Sequence, residues 1–181
     1  MACIGKIMAS LAIPCGAPAL ADLSGPASAK LINASDIASF TVSGAEAKIT
    51  RKPTTAGWDI TAANNSLVVT VGLKSQDIMP GAYDVSITFK TFSGAGYITS
   101  SGTPLGAVGV LGRAELVIAV DHGDAIRVYG LGAPLVCTEL SGDSSASAFV
   151  TYTYGVEDWQ VGTTVHNLSR ADYDALSTPA V

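Results

Sequence analysis

The sequence predicts an all-β domain, an antiparallel β-sandwich or barrel of about eight strands with extended N-terminal and central arms. Three observations predict it. Two-residue apolar alternation recurs along the chain, Pro and Gly punctuate it throughout, and no window keeps a 3.6-residue apolar period beyond about two helical turns.

The first strands are short: residues 29–33, 39–42, 47–51 and 58–61 each combine apolar or β-branched residues with polar flanks. A β-branched run over 67–71 then ends at Gly72. In the next strand Tyr83, Val85, Ile87 and Phe89 alternate with Asp84, Ser86 and Thr88, which puts the four apolar side chains on one face. Pro80-Gly81 just before it has the order of a type II turn. Residues 67–73 and 82–92 are therefore expected to pair. A second pair, 115–120 with 125–129, is joined by Asp121-His122-Gly123-Asp124, where Gly supplies the positive φ of a tight turn. Residues 148–156 form a further strand with Val150, Tyr152 and Tyr154 opposed to Phe149, Thr151 and Thr153. Two segments fit neither period. Residues 93–112 are Gly/Ser-rich, too flexible for a core helix and long for a plain loop, and read as an arm that orders against a neighbour. From about Asp158 the chain is polar, with room for one or two helical turns near Arg170, and reads as a tail. The expected organisation is an N-terminal arm over 1–28, a β domain over 29–157 and a C-terminal tail over 158–181.

A chain of 181 residues fits one such domain. Charged residues are 14% and hydrophobic residues 48%, against roughly 25% charged in an ordinary soluble domain. A surface this weakly charged is economical when neighbouring subunits cover it. The other reading of the same composition is a Ser/Thr-coated extracellular β domain. The net charge of −5 and the lack of any basic run argue against binding nucleic acid through its phosphates. The three cysteines, Cys3, Cys15 and Cys137, are an odd number without zinc-like spacing, and they read as reduced thiols; one disulfide and a free thiol is the alternative. No stretch approaches the ~18 apolar residues of a membrane span. Residues 1–21 carry one Lys, a short apolar run and a small-residue Ala19-Leu20-Ala21 site, but Pro14, Cys15 and Gly16 break the run, so an arm is expected over a cleaved leader.

Chemistry is sparse. Asp121, His122 and Asp124 are the nearest approach to a metal or general-base cluster, but neighbours in a turn point different ways, and a solvated turn is expected. His166 stands in the expected tail. No nucleophile elbow or phosphate-binding loop occurs. Glu157-Asp158-Trp159 reads as a strand end before a carbohydrate platform. The sequons at Asn33, Asn64 and Asn167 matter only in a secreted eukaryotic protein. No catalytic residue, metal ligand, cofactor or small-molecule substrate is expected.

Met1-Ala2-Cys3 followed by Leu11-Ala12-Ile13-Pro14-Cys15 resembles the opening of a group of tailed-bacteriophage virion proteins. The strand Lys30-Leu31-Ile32-Asn33-Ala34-Ser35-Asp36-Ile37, the strand–turn–strand over 116–130 and the last strand over 149–154 are similar as well. The likeness covers about half the chain, and the middle, 80–112, departs from it. It implies a virion structural protein of the tail or tail tube, assembled in the bacterial cytoplasm from copies of itself in a ring or lattice and other virion proteins. On that reading strands 67–73 and 82–92 make the inter-subunit sheet, with Leu67, Val69, Val71, Tyr83, Val85, Ile87, Phe89, Tyr97 and Leu105 as interface residues, while 1–28 and 93–112 bridge rings. Rival readings are a capsid decoration protein, an exported fimbrial or surface-adhesion domain that resembles pilus subunits over 80–87, and a secreted hydrolase using Asp121, His122 and Asp124.

Overall fold

A computed structural model describes residues 25–73, 83–92, 111–142, 149–156 and 163–180. It is an all-β sandwich. Eleven strands form among these residues: β1 (Ser28–Asn33), β2 (Ile37–Ser43), β3 (Glu46–Arg51), β4 (Trp58–Thr61), β5 (Val68–Leu73), β6 (Tyr83–Phe92), β7 (Leu116–Asp121), β8 (Ile126–Tyr129), β9 (Val136–Gly142), β10 (Phe149–Gly155) and β11 (Val165–Leu168). Two short helices, α1 (Ala62–Asn65) and α2 (Arg170–Ala175), complete it. A seven-stranded sheet runs in the order β2-β3-β11-β8-β7-β1-β4, and a four-stranded sheet in the order β5-β6-β10-β9.

Alternation decides which sheet face each side chain takes. In β6 Val85, Ile87 and Phe89 are buried, and in β10 Val150, Tyr152 and Tyr154 are. Phe89 stacks between Tyr152 and Tyr154, each ring centroid 5.7 Å away. These meet Leu116, Ile118 and Val120 of β7 and Tyr129 of β8, making the core between the sheets. β7 does not alternate in hydrophobicity, because both of its faces are buried: Val117 and Ala119 look into a second core with Ile32, Val128 and Leu168.

That second core exists because the larger sheet curls. β1 stands sixth in the sheet and β2 first, a separation of roughly 24 Å if the sheet were flat. Only a three-residue 3-10 turn, Ala34–Asp36, joins them, and it reaches roughly 8 Å. The β2–β3 hairpin therefore folds back over β1 and β7, bringing Ile37 and Ile49 against the second core. At the far end of the β7–β8 turn Gly123 takes φ +89°, and Gly130 takes φ +83° where a Cβ would press within 2.9 Å of the Leu116 carbonyl oxygen.

The expected pairs form as β5–β6 and β7–β8. Two corrections concern the chain ends. Ser28, assigned to the arm, opens β1; the rest of the expected arm up to residue 24, and the central arm over 93–110, lie outside the described residues. The C-terminal segment is not a tail. β11 is inserted between β3, which it meets in parallel, and β8. Ser169 caps α2 by accepting from the Asp172 amide, and Tyr173 and Leu176 are 3% exposed in the second core. The segment reads as polar because β11 is only four residues long and α2 only six, so few positions face inward.

If this end of the chain belongs to the core, Leu176→Ala should destabilise the protein by about 2–5 kcal/mol in urea titration. A solvated tail would give a change within about 0.5 kcal/mol.

Candidate assembly surface

The outermost strand of a sheet keeps one row of N–H and C=O groups that its inner neighbour does not use. β2 and β4 hold that position in the large sheet, β5 and β9 in the small one. Among the described residues the exposed large hydrophobic side chains are Phe40 and Val42 on β2, Trp58 on β4, Val68 on β5 and Leu140 on β9. Every one sits on an edge strand.

The C-terminal segment bonds the connection between β3 and β4, through Gly57 N–H to Leu176 O (2.7 Å), Thr54 N–H to Ala180 O (2.9 Å) and Ala180 N–H to Thr55 O (3.0 Å). Arg51 adds bonds to the carbonyls of Ala175 and Thr178. Lys30 of β1 pairs with Asp59 of β4 at 2.7 Å and lies over the Tyr173 ring. Burial opposes ionisation of Asp59, but the bonds from Lys30 and Ser177 prevail and hold its carboxyl below the usual value. Beside β2 an open apolar groove of about 440 Å³ is lined by Ile37, Phe40, Val117, Leu131 and Pro134.

β5 is Val-Val-Thr-Val-Gly-Leu, without a charge or a proline, and its register on β6 is unbroken from Val68 to Leu73. Natural edges are usually blunted by Lys, Pro or a bulge. The other three edges each have some such feature: β2 bulges between Ile37 and Ser39, β4 carries Asp59 and β9 carries Glu139. β5 has none, and its Val68 is 55% exposed.

The interface residues named from the sequence divide. Val85, Ile87, Phe89 and Leu67 are buried in the inter-sheet core, and Val69 and Val71 lean on it. The side chains of Leu67, Val85, Ile87 and Phe89 therefore face the core and not a neighbour, which corrects the expectation for these four. The apolar face of an alternating strand is the one a two-layer fold buries first, so alternation marked the core. β6 is interior, flanked by β5 and β10, and only β5 of that pair is an edge. Tyr83 opens β6 opposite Leu73. Tyr97 and Leu105 lie outside the described residues. The signal that could have singled out the open edge is the absence of charge and proline over 68–73.

The Asp121–His122–Asp124 turn is not simply solvated. His122 is buried, with Nε2 3.2 Å from the Tyr129 hydroxyl, and burial pushes that hydroxyl's pKa up to about 12. Asp121 accepts from the Gly123 amide (2.8 Å) and from Arg170 of α2 (2.5 Å). No group of three metal-ligating side chains converges among the described residues. His166 bonds Thr164 Oγ1 at 3.0 Å, and burial lowers its pKa. Burial pushes the half-buried Cys137 thiol up, and its Sγ donates to the Glu139 carbonyl at 3.3 Å. Cys3, Cys15 and Trp159 lie outside the described residues. No protein-family model, curated protein or solved structure matches the chain.

The Arg170 guanidinium beside Asp121 holds its carboxyl below the ordinary value, with the Gly123 amide adding to the effect. The folded pKa being the lower one, this stabilisation is full above about pH 4 and fades as pH falls through the folded value. In acid titrations followed by circular dichroism, Arg170→Ala should begin to unfold at higher pH than the parent. Superimposable curves would show that the pair does not anchor α2.

Proposed function

We propose that this chain is a structural subunit that assembles with copies of itself by joining the edges of its four-stranded sheet, as a tail or tail-tube component of a bacteriophage virion. The observation that carries the assembly reading is that, among the described residues, exposed large hydrophobic side chains are confined to edge strands, together with an uncharged, proline-free and regular β5.

Strand parity supports copies as the occupant. β5, β6, β10 and β9 alternate in direction, so the two edges run opposite ways. A copy rotated about an axis along the strands can set its β5 beside the first copy's β9, and the joint is antiparallel like every other in that sheet. Repeating a head-to-tail contact closes a ring when the rotation divides a full turn. The virion assignment rests on the likeness of residues 1–15, 30–37, 116–130 and 149–154 to tailed-phage virion proteins. Other virion proteins would be further partners. A net charge of −5 suits a wall that nucleic acid passes without adhering.

The test is to place a charge on the edge. Val68 points away from the core, so Val68→Lys should leave folding within about 0.5 kcal/mol of the parent. Sedimentation and negative-stain images of the parent should give multi-copy rings or tubes, and V68K should shift the material to single copies. Single copies for both proteins at high concentration would overturn the reading. Shells would favour a decoration role, and fibres a fimbrial one.

A further inference from the structure

The face of the β2–β3 hairpin that enters the second core continues beyond it. Phe40 stands opposite Ile49 and Val42 opposite Ala47, so the four share one face. Ala47 is buried and Ile49 packs on the second core, whereas Phe40 and Val42 are each 41% exposed. Against Phe40 opens the groove of about 440 Å³. Val117 and Leu131 in its lining are buried members of the second core. The Phe40 ring leans toward Gly132, where an added Cβ would come within 3.3 Å of it. None of the described lining residues is charged. On the β2 side, the second core is short of apolar side chains.

An occupant must be apolar, uncharged and within reach. Outside the described residues, Ile7-Met8-Ala9-Ser10-Leu11-Ala12-Ile13 is the longest run free of charge, Gly and Pro. Reach follows from where the chain enters the sheet. Ala27 bonds to the Asp121 carbonyl and accepts from the Ala62 amide, which fixes it at the Asp121 end of β1. Ala34, past the other end of β1, lines the groove. Extended chain from 27 to 34 separates the two by roughly 23 Å. Residues 14–26 connect the apolar run to Ala27, and a flexible linker of that length has a root-mean-square span of roughly 18–22 Å. A linker matched to its span gives a tethered segment its highest effective concentration, on the order of mM. Below that concentration a chain's own segment outcompetes a neighbour's.

We infer that residues 7–13 dock in the groove beside β2 of the same chain and complete the second core, with Leu11 among the side chains that fill it. The segment covers the apolar flank of β2 instead of bridging to a neighbour. The inference does not depend on edge-to-edge assembly through β5 or on a virion role.

The test compares the full chain with Leu11→Asp in thermal unfolding and sedimentation. L11D should lower Tm by about 4–8 °C, equally at every protein concentration and with no change in sedimenting mass. In a Phe40→Ala background, which removes the outer wall of the groove, the same substitution should cost less than half as much. Leu11→Ala, with roughly half the drop of L11D, decides the matter in both backgrounds should L11D not fold. An unchanged Tm in both variants would overturn the docking, as would equal losses in the parent and F40A backgrounds. A fall in mass, or a Tm loss that grows with protein concentration, would place the segment in another copy and overturn its assignment to the same chain.

Discussion

Much of this architecture follows from one short connection. Ala34–Asp36 joins the sixth strand of a seven-stranded sheet to the first. A flat sheet would separate those strands by several times the reach of three residues. The sheet must curl, and the curl creates an inner face that requires its own core. Ile32, Val117, Ala119, Val128 and Leu168 supply it, and α2 with Leu176 seals it. β7 is consequently buried on both faces and reads as a continuous apolar run.

The C-terminal segment also ties the connection between β3 and β4 to this end of the molecule, through bonds to Arg51, Thr54, Thr55 and Gly57. The small sheet is two hairpin pairs, β5–β6 and β9–β10, joined antiparallel through β6 and β10, and it covers one face of the large sheet and ends in two edges. Its side chains satisfy the core, while its main chain on the outer side of β5 does not meet a described strand. That difference between a satisfied face and an unsatisfied edge is the physical basis of the assembly reading.

Most of the sheet elements were legible because their side chains obey period two at half-buried positions. Val85 to Phe89 and Val150 to Tyr154 show the alternation that the structure turns into one buried face each, and the β7–β8 turn is marked by Gly123. β9 was not, since Val-Cys-Thr-Glu-Leu-Ser-Gly is an edge with exposed polar positions and little alternation. β11 was not either: Val-His-Asn-Leu gains its place from partners on both sides, one of them parallel and more than a hundred residues earlier. Curling and the insertion of β11 are non-local facts that no window of sequence contains. For the candidate surface, apolar alternation reports what the fold buries inside, whereas the open edge of β5 is marked only by its lack of charge and proline.

The central claim is that β5 completes its hydrogen bonding on another molecule. Hydrogen–deuterium exchange, resolved to the amides of Val68–Leu73 and followed from dilute to concentrated protein, addresses it most directly. The account expects the alternate amides of β5 that do not bond β6 to exchange quickly when dilute and to become protected in step with rising mass, while those of β7 stay slow throughout. Rapid exchange along β5 in assembled particles, or equal protection at every concentration, would contradict it.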